Sequence, residues 1–153
     1  MQNRKVYISG ELVDEAEAKI SIFDSAVLLG DTVTESTRTF NYIPFKLEEH
    51  IDRLYKSFKL TRIDPQMTKQ EMMDVSVNLL EVNKGVYAKN EDCWLVHNVS
   101  RGHSITGGNP ALQVTKPTVM IYTQPMNLVL WAPFYTKGCH AVIPSTRMVP
   151  SQS

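Results

Sequence analysis

Leu47-Glu48-Glu49-His50-Ile51-Asp52-Arg53-Leu54-Tyr55-Lys56-Ser57-Phe58-Lys59-Leu60 is the most regular stretch of the chain, and its reading decides the fold. Leu47, Ile51, Leu54, Tyr55 and Phe58 stand at offsets 0, 4, 7, 8 and 11, one apolar stripe at helical period. A second helix begins after Thr68, because Thr68-Lys69-Gln70-Glu71 is a capping box. The Thr68 hydroxyl accepts a backbone N–H there while the Glu71 carboxylate reaches back. Met72, Val75, Leu79 and Val82 carry its stripe, and Gly85 after Asn83-Lys84 is a stop signal.

Strand-like segments flank the two helices. Val6-Tyr7-Ile8, the turn Ser9-Gly10 and Glu11-Leu12-Val13 read as a hairpin. Residues 18–23 alternate apolar and polar, with Ile20 and Ile22 on one face. Gly30-Asp31 reads as a turn opening a strand over 32–40, rich in β-branched residues. Asn41-Tyr42 then joins it to a second hairpin arm over 43–47. Residues 92–100 and 118–123 return to strand character, separated by a polar loop over 103–116. Residues 125–137 read as a connector with one helical turn, and 139–143 as a strand that begins something new. The order of strands, helices and strands gives an α+β class: a mostly antiparallel sheet with two helices against it. The expected divisions are a small domain over 1–123, a connector over 124–138 and the start of a second domain over 139–153. The tail Pro150-Ser151-Gln152-Ser153 lacks a natural close, so a longer protein is expected.

Composition narrows the function classes. Sixteen basic and sixteen acidic residues cancel, which argues against nucleic-acid binding through overall charge. The apolar runs are too short for a membrane helix, and the first five residues are not the start of a signal core. Cys93 and Cys139 form neither a disulfide framework nor a metal-ligand spacing, so no metal is expected and a cytoplasmic location is.

Three segments carry candidate chemistry. On the first helix Arg53 is four residues from Glu49, the spacing of a surface ion pair, but its fork of donors also suits a phosphate. On the strand over 32–40, Thr32, Thr34, Ser36 and Arg38 share one face, which either meets solvent or lines a cavity. Arg101 at the end of the strand over 92–100 is a candidate carboxylate clamp or a plain surface arginine. His50, His97 and His103 read as structural or solvent-exposed. No Ser-His-Asp order, zinc-protease motif, paired CxxC or Walker loop is present.

These segments, in this order, resemble the class IV (fold-type IV) pyridoxal-phosphate enzymes. That family includes branched-chain aminotransferases, D-amino acid transaminases, amine transaminases and aminodeoxychorismate lyase. The matching stretches are Val6 to Val13, Ala18 to Asp24, Leu29-Gly30-Asp31 through Glu35, Pro44 to Ser57 and Val99-Ser100-Arg101-Gly102. His50-Ile51-Asp52-Arg53-Leu54 is the most specific of them.

The resemblance implies the small N-terminal domain of a two-domain, homodimeric subunit, with pyridoxal 5'-phosphate between the domains. It implies transamination between an amino acid or amine and a 2-keto acid. Arg53 matches the arginine that binds the cofactor phosphate. Leu29, Thr34, Ser36, Arg38, Trp94 and Arg101 match positions that border the substrate. The branched-chain enzymes usually carry an aromatic where Thr34 stands and glycine where Ser36 stands, and tyrosine is common at the position of Leu29. Arg101-Gly102 is similar to the pair of the D-amino acid branch. The catalytic lysine of such enzymes is expected shortly beyond Ser153, so no residue of this chain is assigned as catalytic. Two alternatives remain: an aminodeoxychorismate lyase-like reaction on the same scaffold, and a non-catalytic truncated binding module.

Overall fold

The computed structural model describes residues 3–88, 91–103, 116–126 and 128–146. β1 (Lys5–Ile8) and β2 (Glu11–Asp14) form the first hairpin, and Ser9 and Gly10 both turn at positive φ. A single 3-10 turn follows over Glu15–Glu17. α1 (Ser25–Leu29) precedes β3 (Thr32–Phe40) and β4 (Ile43–Pro44). α2 (Leu47–Thr61) and α3 (Lys69–Asn83) are the two long helices. β5 (Cys93–Ser100), β6 (Thr118–Pro125) and α4 (Leu128–Lys137) complete the elements. The six strands form one sheet in the order β2-β1-β6-β5-β3-β4, and every pairing is antiparallel.

The stripe read on the first helix is the buried one. Ile51, Leu54 and Phe58 are buried, and Leu47 and Tyr55 pack against the same core. That core runs through Met72, Leu79 and Leu80 of α3 to Val33, Leu95, Val99, Val119 and Ile121 of the sheet. The capping box at Thr68 is complete: Thr68 Oγ1 accepts from Glu71 N, and Glu71 Oε2 accepts from Thr68 N at 2.7 Å. Asn41 and Tyr42 both adopt positive φ, the conformation of a two-residue hairpin turn.

Four readings are corrected. The 18–23 stretch forms no strand: Asp24 heads α1, and Ile20 and Ile22 are exposed, because alternation without a neighbouring strand leaves the backbone unpaired. Gly30 is not simply a turn before β3. Its φ of 67° makes it the left-handed C-cap of α1, whose Asp24 N-cap accepts from Ala26 N at 2.9 Å. The 125–137 connector holds ten residues of helix rather than one turn, with Pro133 inside it. Residues 139–143 form no strand, since none of the described residues pairs with them. Two helices do cover the sheet, but α1 and α4 bring the number among the described residues to four. Most of the 103–116 loop and the tail from 147 onward lie outside the described residues. No helix among the described residues is long and apolar enough to cross a membrane.

Side-chain pins join the layers. Asn83, fully buried at the end of α3, replaces a missing strand neighbour for β1: its Oδ1 accepts from Lys5 N at 2.7 Å and its Nδ2 donates to Lys5 O at 2.9 Å. Gly102 has a φ of 97°, and a Cβ there would stand 1.9 Å from Lys116 O, so only glycine fits this bend beyond β5.

Candidate functional site

Strand period two divides the candidate residues between the faces of the sheet. Glu35 of β3, His97 of β5 and Thr123 of β6 point toward the helices, where they meet Arg53, Ser76 and Asn83. Thr34, Ser36 and Arg38 of β3 and Trp94 of β5 lie on the other face, and none of the four is buried. The structure therefore brings these four substrate candidates together and separates them from Arg53.

On the helix side, Glu35 is the centre of a charged cluster that the sequence did not single out. Arg53 Nε donates to Glu35 Oε2 at 2.7 Å, and Nη2 donates to Oε1 at 2.6 Å. His50 Nδ1 lies 3.0 Å from Oε1, and Ser36 N donates to the same oxygen at 3.0 Å. Burial pushes the Glu35 carboxyl up, but the bonds from Arg53, His50 and Ser36 outweigh it and hold it at about 2. The Arg53 side chain is still 67% exposed. Its Nη1 has no hydrogen-bond partner among the described residues, which leaves an open cationic edge for an anion.

His97 lies opposite Glu35 in the β3–β5 ladder and is fully buried. Ser76 Oγ donates to Met72 O at 2.7 Å, so at 2.8 Å from His97 Nε2 the same oxygen accepts the imidazole proton. This fixes the tautomer and leaves Nδ1 buried with no partner. Burial lowers the imidazole to about 4, so it is neutral at ordinary pH.

Arg101 continues β5 past its last ladder pair. Nε and Nη2 donate to Asp31 at 2.8 and 3.3 Å, Nη1 to Arg62 O at 2.8 Å and Nη2 to Thr61 O at 3.0 Å. A carboxylate is thus held by Arg101, but it belongs to Asp31. The same side chain satisfies open carbonyls at the C-terminus of α2, where a cation is favoured. Leu29, the last residue of α1, is 74% exposed. Its helix is anchored through Asp24, which is buried and accepts from Thr118 Oγ1 at 2.6 Å.

The face away from the helices is polar in its middle. Thr34 Oγ1 donates to Asn98 Oδ1 at 2.5 Å, and Asn98 Nδ2 donates to the Tyr122 hydroxyl at 3.0 Å. Arg38 lies over the Phe40 ring at 3.8 Å and 3.9 Å from Asp92. Neither Asn98 nor Tyr122 was singled out from the sequence. Their spacing to Thr34 is 64 and 88 residues, and only strand pairing makes them neighbours.

No family model matches the chain. It is 38% identical over 146 residues to a Methanocaldococcus jannaschii protein provisionally named a branched-chain-amino-acid aminotransferase, a match over 95% of this chain and 47% of that protein. It is 36% identical over 87 residues to the D-alanine aminotransferase of Staphylococcus haemolyticus, covering 54% of this chain and 31% of that one. The aminodeoxychorismate lyase of Bacillus subtilis matches at 32% over 117 residues, 76% of this chain and 39% of the lyase. The chain thus spans less than half the length of these relatives. The Escherichia coli branched-chain amino acid aminotransferase shares its fold with a TM-score of 0.82 at 23% identity, over 97% of this chain and 49% of that one. Sequence and fold together place the chain with the N-terminal part of the fold-type IV aminotransferases, the branched-chain and D-amino acid enzymes among them.

Proposed function

We propose that the chain is the N-terminal part of a pyridoxal-phosphate-dependent transaminase acting between an amino acid, or amine, and a 2-keto acid. The observation that carries this reading is Arg53: a bidentate carboxylate fixes its guanidinium while its outer edge stays exposed. That edge suits a phosphate, and the position matches the family's phosphate ligand. When bound, pyridoxal 5'-phosphate supplies the electron sink for proton exchange at the amino-bearing carbon.

Arg53 holds the phosphate with an unpaired N–H edge, and Glu35 keeps the guanidinium from swinging into solvent. Thr34, Ser36, Arg38 and Trp94 border the substrate from one sheet face, and Leu29 does so from the end of α1. Arg101 acts on the same pocket by tying the end of β5 to Asp31 and α2. No residue of this chain is assigned the proton transfer itself. The division into a small domain over 1–123, a connector over 124–138 and the start of a cofactor-binding domain over 139–153 belongs to this proposal. So do a homodimeric assembly and a cytoplasmic location.

The test is Arg53→Ala in the full-length protein. Loss of a charge-assisted phosphate contact should weaken pyridoxal phosphate binding by about 10- to 100-fold, read by absorbance titration. Unchanged affinity would remove Arg53 from the cofactor site. The match to the Bacillus subtilis lyase keeps a second reaction in view. A transaminase stops when the keto acid acceptor is left out, whereas a lyase continues to release product.

A further inference from the structure

The polar row across β3, β5 and β6 has a direction. An amide oxygen only accepts, so the Thr34 hydroxyl spends its proton on Asn98 Oδ1 at 2.5 Å. The Asn98 amide nitrogen only donates, so the Tyr122 oxygen accepts at 3.0 Å. Thr34 is thereby left with open acceptor lone pairs. Tyr122 is left with an O–H that no acceptor among the described residues takes. The donor is aimed by its neighbours at no further entropic cost on binding. Tyr122 also lines a cleft of about 430 Å³ with the apolar Val6, Ile8 and Ile20 and with Arg4 and Glu15, which pair with each other. No charge takes part in the row. Arg38, the cation of β3 on this face, is held against Phe40 and Asp92.

We propose that this row determines substrate specificity, with Tyr122 as the contact and Asn98 as its positioning residue. It selects amino or keto acids whose side chain carries a neutral hydroxyl or amide oxygen over aliphatic ones of the same shape. The inference rests on the transaminase reading, since Thr34 is the member of the row that this reading places beside the substrate. An ionised side chain would find no free counter-charge there, since the row carries none and Arg4 in the same cleft is already paired with Glu15, so a neutral acceptor oxygen is the better fit once water is displaced. An aliphatic side chain of equal size would leave the Tyr122 O–H without a partner once water is displaced.

The experiment uses the full-length protein loaded with pyridoxal phosphate and the near-isosteric donors threonine and valine, each as both enantiomers. Expected is a higher kcat/KM for threonine than for valine. Tyr122→Phe should lower the threonine value roughly tenfold, the loss of one neutral hydrogen bond, and raise the valine value, because the unpartnered O–H that penalised it is gone. Asn98→Ala should narrow the same ratio, with the melting temperature of each variant against that of the unsubstituted protein serving as the control for folding. A ratio unmoved by Tyr122→Phe, or equal losses on both donors, would overturn the proposal. A protein without any transamination would sink the underlying reading instead. The row is then judged by calorimetric titration of the same protein with 2-oxo-3-hydroxybutanoate. Binding that Tyr122→Phe leaves unchanged, or no binding at all, ends the inference.

Discussion

Glu35 and His97 face each other across β3 and β5, and both titrate away from their ordinary ranges for opposite reasons. Bonds from Arg53, His50 and Ser36 hold the Glu35 carboxyl at about 2 against the pull of burial. Its contribution to stability is full above about 4.5 and is lost as pH falls toward 2. Burial lowers His97 from 6.5 to about 4. An unfolded chain takes up that proton from 6.5 downward while the folded one does not, so stability falls between those two values. The 153-residue chain should therefore lose stability from pH 6.5 to 4 and again below 4.5. His97→Gln should flatten the upper limb and Glu35→Gln the lower one, in denaturant titrations across pH. An upper limb that survives His97→Gln would assign it to another group. Arg53 belongs to this scale as well, because its guanidinium is fixed by one carboxylate rather than by packing.

At the scale of the element, the helices owe their ends to side chains and their faces to the core. The Thr68 capping box satisfies two otherwise open backbone donors at the start of α3. Thr68→Ala should cost about 1 kcal/mol, measured by urea unfolding. A loss near zero would mean that water replaces the hydroxyl freely. The stripe read on α2 was legible because five apolar side chains at helical spacing have one plausible use. The α3 stripe was legible only in part. Met72 and Leu79 are buried as expected, but the buried face also includes Ser76 and Asn83. Polar residues give no periodic signal, and they are buried here because His97, Lys5 and Thr123 supply their partners.

At the scale of the whole molecule, the sheet has one face under α2 and α3, while α4 buries none of its residues. Trp131 is 57% exposed and Tyr135 86%, on a helix with a single charged residue, Lys137. Exposed aromatic surface of this kind drives association. The 153-residue chain should therefore self-associate, and Trp131→Lys combined with Tyr135→Lys should shift it toward monomer in sedimentation velocity. A clean monomer at high concentration without the substitutions would count against α4 as a sticky surface. Pro133 adds to the case for an outside partner, since it removes one backbone bond from a helix that buries none of its residues.

The amino-acid sequence by itself determined the two long helices, the first hairpin, the Thr32 to Phe40 strand, and the family to which these segments are similar. Each of those signals is local, carried by periodicity, caps, turn residues or a short motif. The tertiary structure alone decided which candidates share a face. Thr34 and Glu35 are adjacent in the chain, yet one joins Asn98 and the other Arg53. The tertiary structure also left 139–143 without a partner strand among the described residues and gave Arg101 to Asp31. The physical reason is the same in each case. A side chain's partner is set by strand register and helix placement, which are fixed by contacts between residues far apart in the chain.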